Sequence, residues 1–144
     1  MERTSFNPVD VELLYDNLRP TDHAYLKAVY KRDVFVQLEE SFCSAEKTYT
    51  FWNEGKVVAL MGCTGNNVFL QTNSLTDGKA EEVIRIGREA VGLFSKHPMV
   101  AVVPRDDKRV RKLCDALGFT ELTDGYENYN ASGIPHVALW RRNE

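Results

Sequence analysis

Between Gly78 and His97 the apolar residues Ala80, Val83, Ile84, Gly87, Ala90, Val91 and Phe94 recur at the 3.6-residue period of a helix with one buried face. Pro98 ends that pattern, and Met99-Val100-Ala101-Val102-Val103 follows as an unbroken apolar run. A strand without polar alternation is one covered on both faces of a sheet. Pro104 closes it. Asp106 or Asp107 then caps a second helix, on which Val110, Leu113, Cys114 and Leu117 share one face and Gly118 supplies the C′ glycine. Phe119 to Leu122 begins a further strand, Asp124 to Gly133 reads as a loop, and His136 to Trp140 is the last strand. Helices laid on a sheet in this way predict an α+β sandwich.

The first half is built from shorter pieces. Arg3 to Phe6 is extended. Asn7-Pro8 reads as a helix start, with Val11, Leu14, Tyr15 and Leu18 at helical spacing; a strand reading competes, because Val9, Val11, Leu13 and Tyr15 alternate. Arg19-Pro20 breaks that segment. Thr21 or Asp22 caps a second helix to Tyr30, and a third covers Val34 to Ser44 with Val36, Leu38 and Phe42 to bury. Tyr49 to Trp52 and Val57 to Met61 form a hairpin around Asn53-Glu54-Gly55. Gly62 to Asn67 is a loop, Val68 to Gln71 a strand, and Thr72 to Asp77 a polar connection. The expectation is one domain over 1–144: a mixed, mostly antiparallel sheet of about six or seven strands flanked by helices, three of them short and N-terminal.

Charge and cysteine content narrow the function classes. Lys plus Arg is 18 against 21 for Asp plus Glu, so the net charge of −3 gives no support to nucleic acid as a partner. No apolar run approaches the ~20 residues of a membrane span, and Met1 to Ser5 lead into no apolar signal core. Cys43, Cys63 and Cys114 are three in number, widely spaced, and free of any C-x-x-C pair, while His23, His97 and His136 are scattered. A disulfide framework and a zinc site are therefore not expected, and a reducing cytoplasm fits. Asn130-Ala131-Ser132 is read as a chance sequon.

The order strand, helices, three strands, long helix, strand, helix, two strands resembles the GNAT fold of CoA-dependent N-acyltransferases. The part most alike is the apolar strand, polar cap and amphipathic helix ending in Leu117-Gly118-Phe119. Leu18-Arg19-Pro20-Thr21-Asp22, Gly55-Lys56-Val57-Val58-Ala59-Leu60-Met61-Gly62 and Leu70-Gln71-Thr72-Asn73-Ser74-Leu75 together resemble GNAT-like phage proteins of the internal virion protein A type, over residues 8 to 140. That resemblance implies a virion-associated, morphogenesis or infectivity protein with degenerate catalytic machinery. It implies phage or host proteins as partners, in the host cytoplasm or the virion. The GNAT resemblance alone implies an active acetyl-CoA-dependent N-acetyltransferase, acting on a host protein.

The superfamily holds the CoA pyrophosphate on backbone N–H groups in a Q/R-x-x-G-x-G/A turn that opens the long helix. The matching residues are Leu75, Thr76, Asp77, Gly78, Lys79 and Ala80, and Leu70, Gln71 and Thr72 precede them. Gly78 and Ala80 fit the motif; Leu75 replaces the Gln or Arg. Asp77 puts negative charge near the phosphates, which at ~4 Å costs on the order of 1 to 4 kcal/mol, and Lys79 partly offsets it. The competing reading is an ordinary helix start capped by Asp77. Counting back from Leu117-Gly118-Phe119, the superfamily's Tyr acid falls on Cys114 and its Asn on Asp107. Cys114 has two readings, thiol acid or core filler on the apolar stripe, and Asp107 is equally a helix cap. Val68 to Gln71 carries no carboxylate for a base, with Glu46 or Glu54 as substitutes. The cluster Arg105, Lys108, Arg109, Arg111 and Lys112 is a solvated helix face or a surface for CoA phosphates, RNA or an acidic partner. Two thiol–imidazole pairs, Cys43–His23 and Cys114–His97, can be drawn but not placed.

Overall fold

Strand β1 (Glu2–Ser5) leads into three helices, α1 (Val9–Tyr15), α2 (Pro20–Tyr30) and α3 (Val34–Cys43). Strands β2 (Lys47–Asn53), β3 (Lys56–Thr64) and β4 (Asn67–Thr72) follow, and a 3-10 turn at Ser74–Thr76 joins β4 to α4 (Ala80–Leu93). The chain ends in β5 (Met99–Pro104), α5 (Lys108–Ala116), β6 (Thr120–Glu121), β7 (Glu127–Tyr129) and β8 (Pro135–Arg141). This computed structural model describes residues 1–94, 98–121, 127–129 and 133–141. His97, Leu122, Tyr126, Asn130-Ala131-Ser132, Arg142 and the side chain of Tyr129 lie outside the described residues.

The sheet runs β1-β2-β3-β4-β5-β8-β6, with β7 also on β8. All pairs are antiparallel except β4–β5. Each face carries its own apolar layer. On one, Met61, Cys63 and Val68 cluster with Ile86, Ala90 and Val91 of α4 and with Cys114 and Leu117 of α5. On the other, Val57 and Leu60 cluster with Val11, Leu14, Leu26, Val34, Leu38 and Phe42 of the N-terminal helices. β3 lies between both layers, which is why Val57 to Met61 reads as continuously apolar. A bulge helps: Phe51 pairs with Ala59 and Trp52 with Val57, skipping Val58.

Several boundaries differ from the sequence expectation for identifiable reasons. The first segment is a helix, since Val11 and Leu14 are buried while Val9 and Leu13 are exposed. On α3 the buried stripe is Val34, Leu38 and Phe42, and Val36 faces outward. Spacing by four turns Val34 inward and Val36 away. α4 starts at Ala80 because Gly78 has φ +79°, outside the helical region, and Ile86 rather than Ile84 joins the core. The segment 62–67 is mostly strand: Gly62 pairs with Phe69 and Cys63 with Val68, leaving a turn at Gly65 and Asn66. The segment 124–133 contains β7, which takes the part of β8's outer edge that β6 leaves open.

Gly62 is required by its neighbour. A Cβ there would lie 2.7 Å from Cε2 of the Phe69 ring. Gly62→Ala is expected to lower stability by about 1 to 3 kcal/mol through overpacking. Gly92→Ala, on an exposed turn of α4 with nothing within 4 Å of the new Cβ, should raise it by about 0.5 to 1 kcal/mol. Urea midpoints at unchanged m-value check both.

Candidate functional site

β4 and β5 share a single ladder pair, Asn67↔Val100, at the start of both strands. It is locked by Val100 N–H donating to the Asn66 carbonyl at 2.7 Å and by Asn66 Nδ2 donating to the Pro98 carbonyl at 2.8 Å. Past that pair no further ladder pair joins β4 to β5, and from Met99 to Pro104 β5 is paired on its other edge with β8. The opening is a cavity of about 1170 Å³. Phe69 to Thr72 line one wall and Ala101 to Pro104 the other; α2, α3, α4 and α5 close the sides. Val102, with Ala101 and Val103 buried on either side of it, is 41% exposed and lines this space.

The turn expected to hold phosphate sits at the mouth of this cavity. Thr76, Asp77, Gly78 and Ala80 line it, as do Leu70, Gln71 and Thr72. Leu75 and Lys79 do not: Leu75 packs on the apolar layer under α4, and Lys79 is the N-cap of α4 with no side-chain cap bond. A Cβ at Gly78 would meet nothing within 4 Å, so the backbone there is open to an incoming group. The loop is shaped by Asn73, which is fully buried. Its Nδ2 donates to the carbonyls of Leu14 and Val57, and its Oδ1 accepts from Leu75 N–H. One side chain thus joins α1, β3 and the turn.

Asp77 is not the cap of α4. Its carboxylate accepts from Arg19 Nε at 2.9 Å and from Nη2 at 2.7 Å. The same guanidinium donates to Thr76 Oγ1 (2.7 Å), Thr72 Oγ1 (2.9 Å) and Asp22 Oδ2 (3.1 Å). All five of its N–H donors are used. The negative charge of Asp77 is therefore balanced from within the protein. Asp22 in turn lies 3.6 Å from Arg109 Nη2 and accepts from Gln71 Nε2 at 3.3 Å. Arg109 and Lys112 of the basic cluster line the cavity, whereas Arg105 pairs with Asp106 and Arg111 with Glu121.

Cys114 and Asp107 also reach the cavity. Cys114 is 9% exposed and belongs to the core layer under α5. Burial pushes its thiol up to about 11, with Arg111 lowering it and Asp107 raising it. A thiol this weakly acidic gives its proton to an ordinary thiolate only uphill, by about 3 kcal/mol for two pKa units. Cys114 thus packs in the core layer, as the filler reading has it, while also lining the cavity. Asp107 caps α5, accepting from Val110 N–H at 3.1 Å. Glu46 accepts from Gly65 N–H and Glu54 sits in the β2–β3 turn; neither lines the cavity. His23 Nε2 is 3.4 Å from the Tyr15 hydroxyl, and Cys43 is exposed at the end of α3.

A polar pair that periodicity did not single out bridges the far wall. His136, 4% exposed on β8, has Nδ1 2.8 Å from the Ile134 carbonyl and Nε2 2.6 Å from the Tyr25 hydroxyl of α2. A carbonyl only accepts, so Nδ1 carries the proton and Nε2 accepts from Tyr25. Burial first, then Tyr30 and Asp107, raise the Tyr25 phenol to about 12, so it is a protonated donor at neutral pH. Among the described residues no group of three or more His, Cys, Asp or Glu could hold a metal ion, and no helix is long and apolar enough to cross a membrane.

No protein-family model and no curated protein matches the sequence. Solved structures match over nearly the whole chain. AAC(6')-Ib in complex with ribostamycin and coenzyme A aligns with a TM-score of 0.69 at 14% identity, covering 98% of this chain and 92% of that one. Aminoglycoside 6'-acetyltransferase type Ii gives 0.65 at 16% identity, with 99% and 97% covered. An acetyltransferase of the GNAT family from Streptococcus pneumoniae gives 0.60 at 14% identity, with 99% of both chains covered. The chain thus has the GNAT N-acetyltransferase fold. These neighbours give no support to the phage half of the sequence resemblance.

Arg19→Lys keeps one positive charge but cannot make the five hydrogen bonds to these four acceptors. The substitution should lower stability by about 1 to 3 kcal/mol, discounted toward the lower value because Asp77 is 63% exposed. A denaturant midpoint as low as that of Arg19→Met would show that geometry matters more than charge. A parental midpoint would contradict the role assigned to the fork.

Proposed function

We propose that this protein binds acyl-CoA and transfers the acyl group to an amine. The observation that carries the reading is the opening between β4 and β5, with the Gly78 turn at its mouth. Parted strands offer N–H and C=O groups to a guest. The pantetheine arm of CoA is an extended chain with two amides, which suits addition between such edges. Phosphates suit the amides that open α4, a helix of 14 residues, beside the unhindered Gly78. Arg109 and Lys112 supply positive charge along the same space. The coenzyme A held by AAC(6')-Ib, which has the same fold, supports the reading.

A second reading keeps the scaffold and drops the chemistry: a virion-associated or morphogenesis protein of a phage, working through phage or host proteins in the host cytoplasm. Two observations favour the loss of chemistry. Leu75 stands where the motif has Gln or Arg, and Cys114, a buried and weakly acidic thiol, stands where the superfamily has its Tyr. A fold persists after its site is lost.

Calorimetry and thermal melting with acetyl-CoA separate the two. Binding to the folded state alone stabilises it by RT ln(1 + [L]/Kd), about 2.7 kcal/mol at a hundredfold excess over Kd. The acyl-CoA reading predicts heat and a raised Tm at millimolar ligand, both lost in Gly78→Glu, which fills the open approach with a negative charge. No heat and no shift for the parent chain would overturn it and leave the structural reading.

A further inference from the structure

We propose that Tyr25 and His136 form a proton relay facing the acyl acceptor, with Tyr25 touching the attacking amine and His136 storing its proton. This rests on the acyl-transfer reading above and adds the group that neither Cys114 nor any carboxylate of β4 supplies.

Three observations carry it. First, both side chains line the cavity between β4 and β5, and Pro104↔His136 pairing places the imidazole at the wide end of that opening. Second, the hydrogen bonds set the direction of transfer. Nδ1–H is committed to the Ile134 carbonyl, so Nε2 is the basic lone pair, and the Tyr25 O–H points into it at 2.6 Å. Third, both protonation states of the imidazole keep these two partners. In the imidazolium, Nδ1–H still meets a carbonyl, and Nε2–H donates to the Tyr25 oxygen, which accepts.

The step balances without another reactant. The amine nitrogen attacks the thioester carbonyl, and the C–N bond forms as the C–S bond breaks. The nitrogen's surplus proton passes to the Tyr25 oxygen while the Tyr25 proton passes to Nε2. The same path in reverse delivers one proton to the departing thiolate, giving amide and free thiol. The charged and titratable groups around the pair are Tyr30 and Asp22 on α2 and Asp107, Arg109 and Cys114 at α5, all on the cavity wall. Asp22 and Arg109 offset each other.

A bond joining α2 to β8 is also what a purely structural tie would provide, so the variants must divide the roles. His136→Gln retains a side-chain carbonyl to accept from Tyr25 but cannot store a proton. Tyr25→Phe removes the hydroxyl that would touch the amine and, with it, the bond to His136. The assay follows thiol release from acetyl-CoA with Nα-acetyl-lysine amide as the acceptor, with acetyl-CoA binding and Tm measured alongside. The relay predicts that both variants bind acetyl-CoA within about threefold of the parent and lose kcat by about 10² to 10⁴-fold. Activity retained in His136→Gln would reduce the pair to a tie and overturn the proposal, as would a parent that binds acetyl-CoA and releases no thiol above buffer. A parent that fails to bind acetyl-CoA at all would instead overturn the acyl-CoA reading itself.

Discussion

Asn67 and Val100 form the one ladder pair between β4 and β5, and the functional geometry follows from where that pair sits. Joined by one pair near their starts, the two parallel strands leave their facing edges unpaired beyond it, while the other edge of β5 is held by β8 from Met99 to Pro104. The cost is a row of strand-edge groups without a neighbour on the facing strand, which a sheet ordinarily covers. The gain is a cavity whose two walls carry backbone donors and acceptors and whose mouth opens onto the start of α4.

A split of this kind needs to be held open, and α2 does so. Its first turn is tied to the end of β4 by the Arg19 fork on Thr72, Thr76 and Asp77, and one face further along the helix Tyr25 reaches β8 through His136. Asn73 holds the turn from below, joined to α1 and β3. The N-terminal helices are therefore a brace across the opening. Because Arg19 is already saturated by protein acceptors, it neutralises Asp77 and contributes little free charge for a phosphate; Arg109 and Lys112 are better placed for that.

The elements legible in the sequence were those with strong local signals. The period of α4, the apolar run of β5, the glycine turn of the β2–β3 hairpin and the Asp107 cap of α5 are each written within a dozen residues, and together they resembled the fold that the solved neighbours share. The turn at Gly78 that opens α4 was also legible, because its signal is local. What the sequence concealed was long-range. Arg19 reads as the residue before a proline, yet three of its four side-chain partners lie 53 to 58 positions away. Tyr25 and His136 are 111 positions apart and nothing in either context announces the other. Asn73 sits in a polar connection that looks solvated and is fully buried. Leu75 and Lys79 were assigned to the site by motif position, but a motif gives spacing along the backbone and not where each side chain turns.

The central claim is that the space between the parting strands, entered past Gly78, is where an acyl-CoA lies. Amide NMR during an acetyl-CoA titration tests it residue by residue. The account predicts saturable shifts for Gly78, Lys79 and Ala80 and for Val102 and Val103 of β5, with the distant turn at Gly55 unmoved. Shifts confined to Gly55 and the outer faces, or none at all at millimolar ligand, would contradict it.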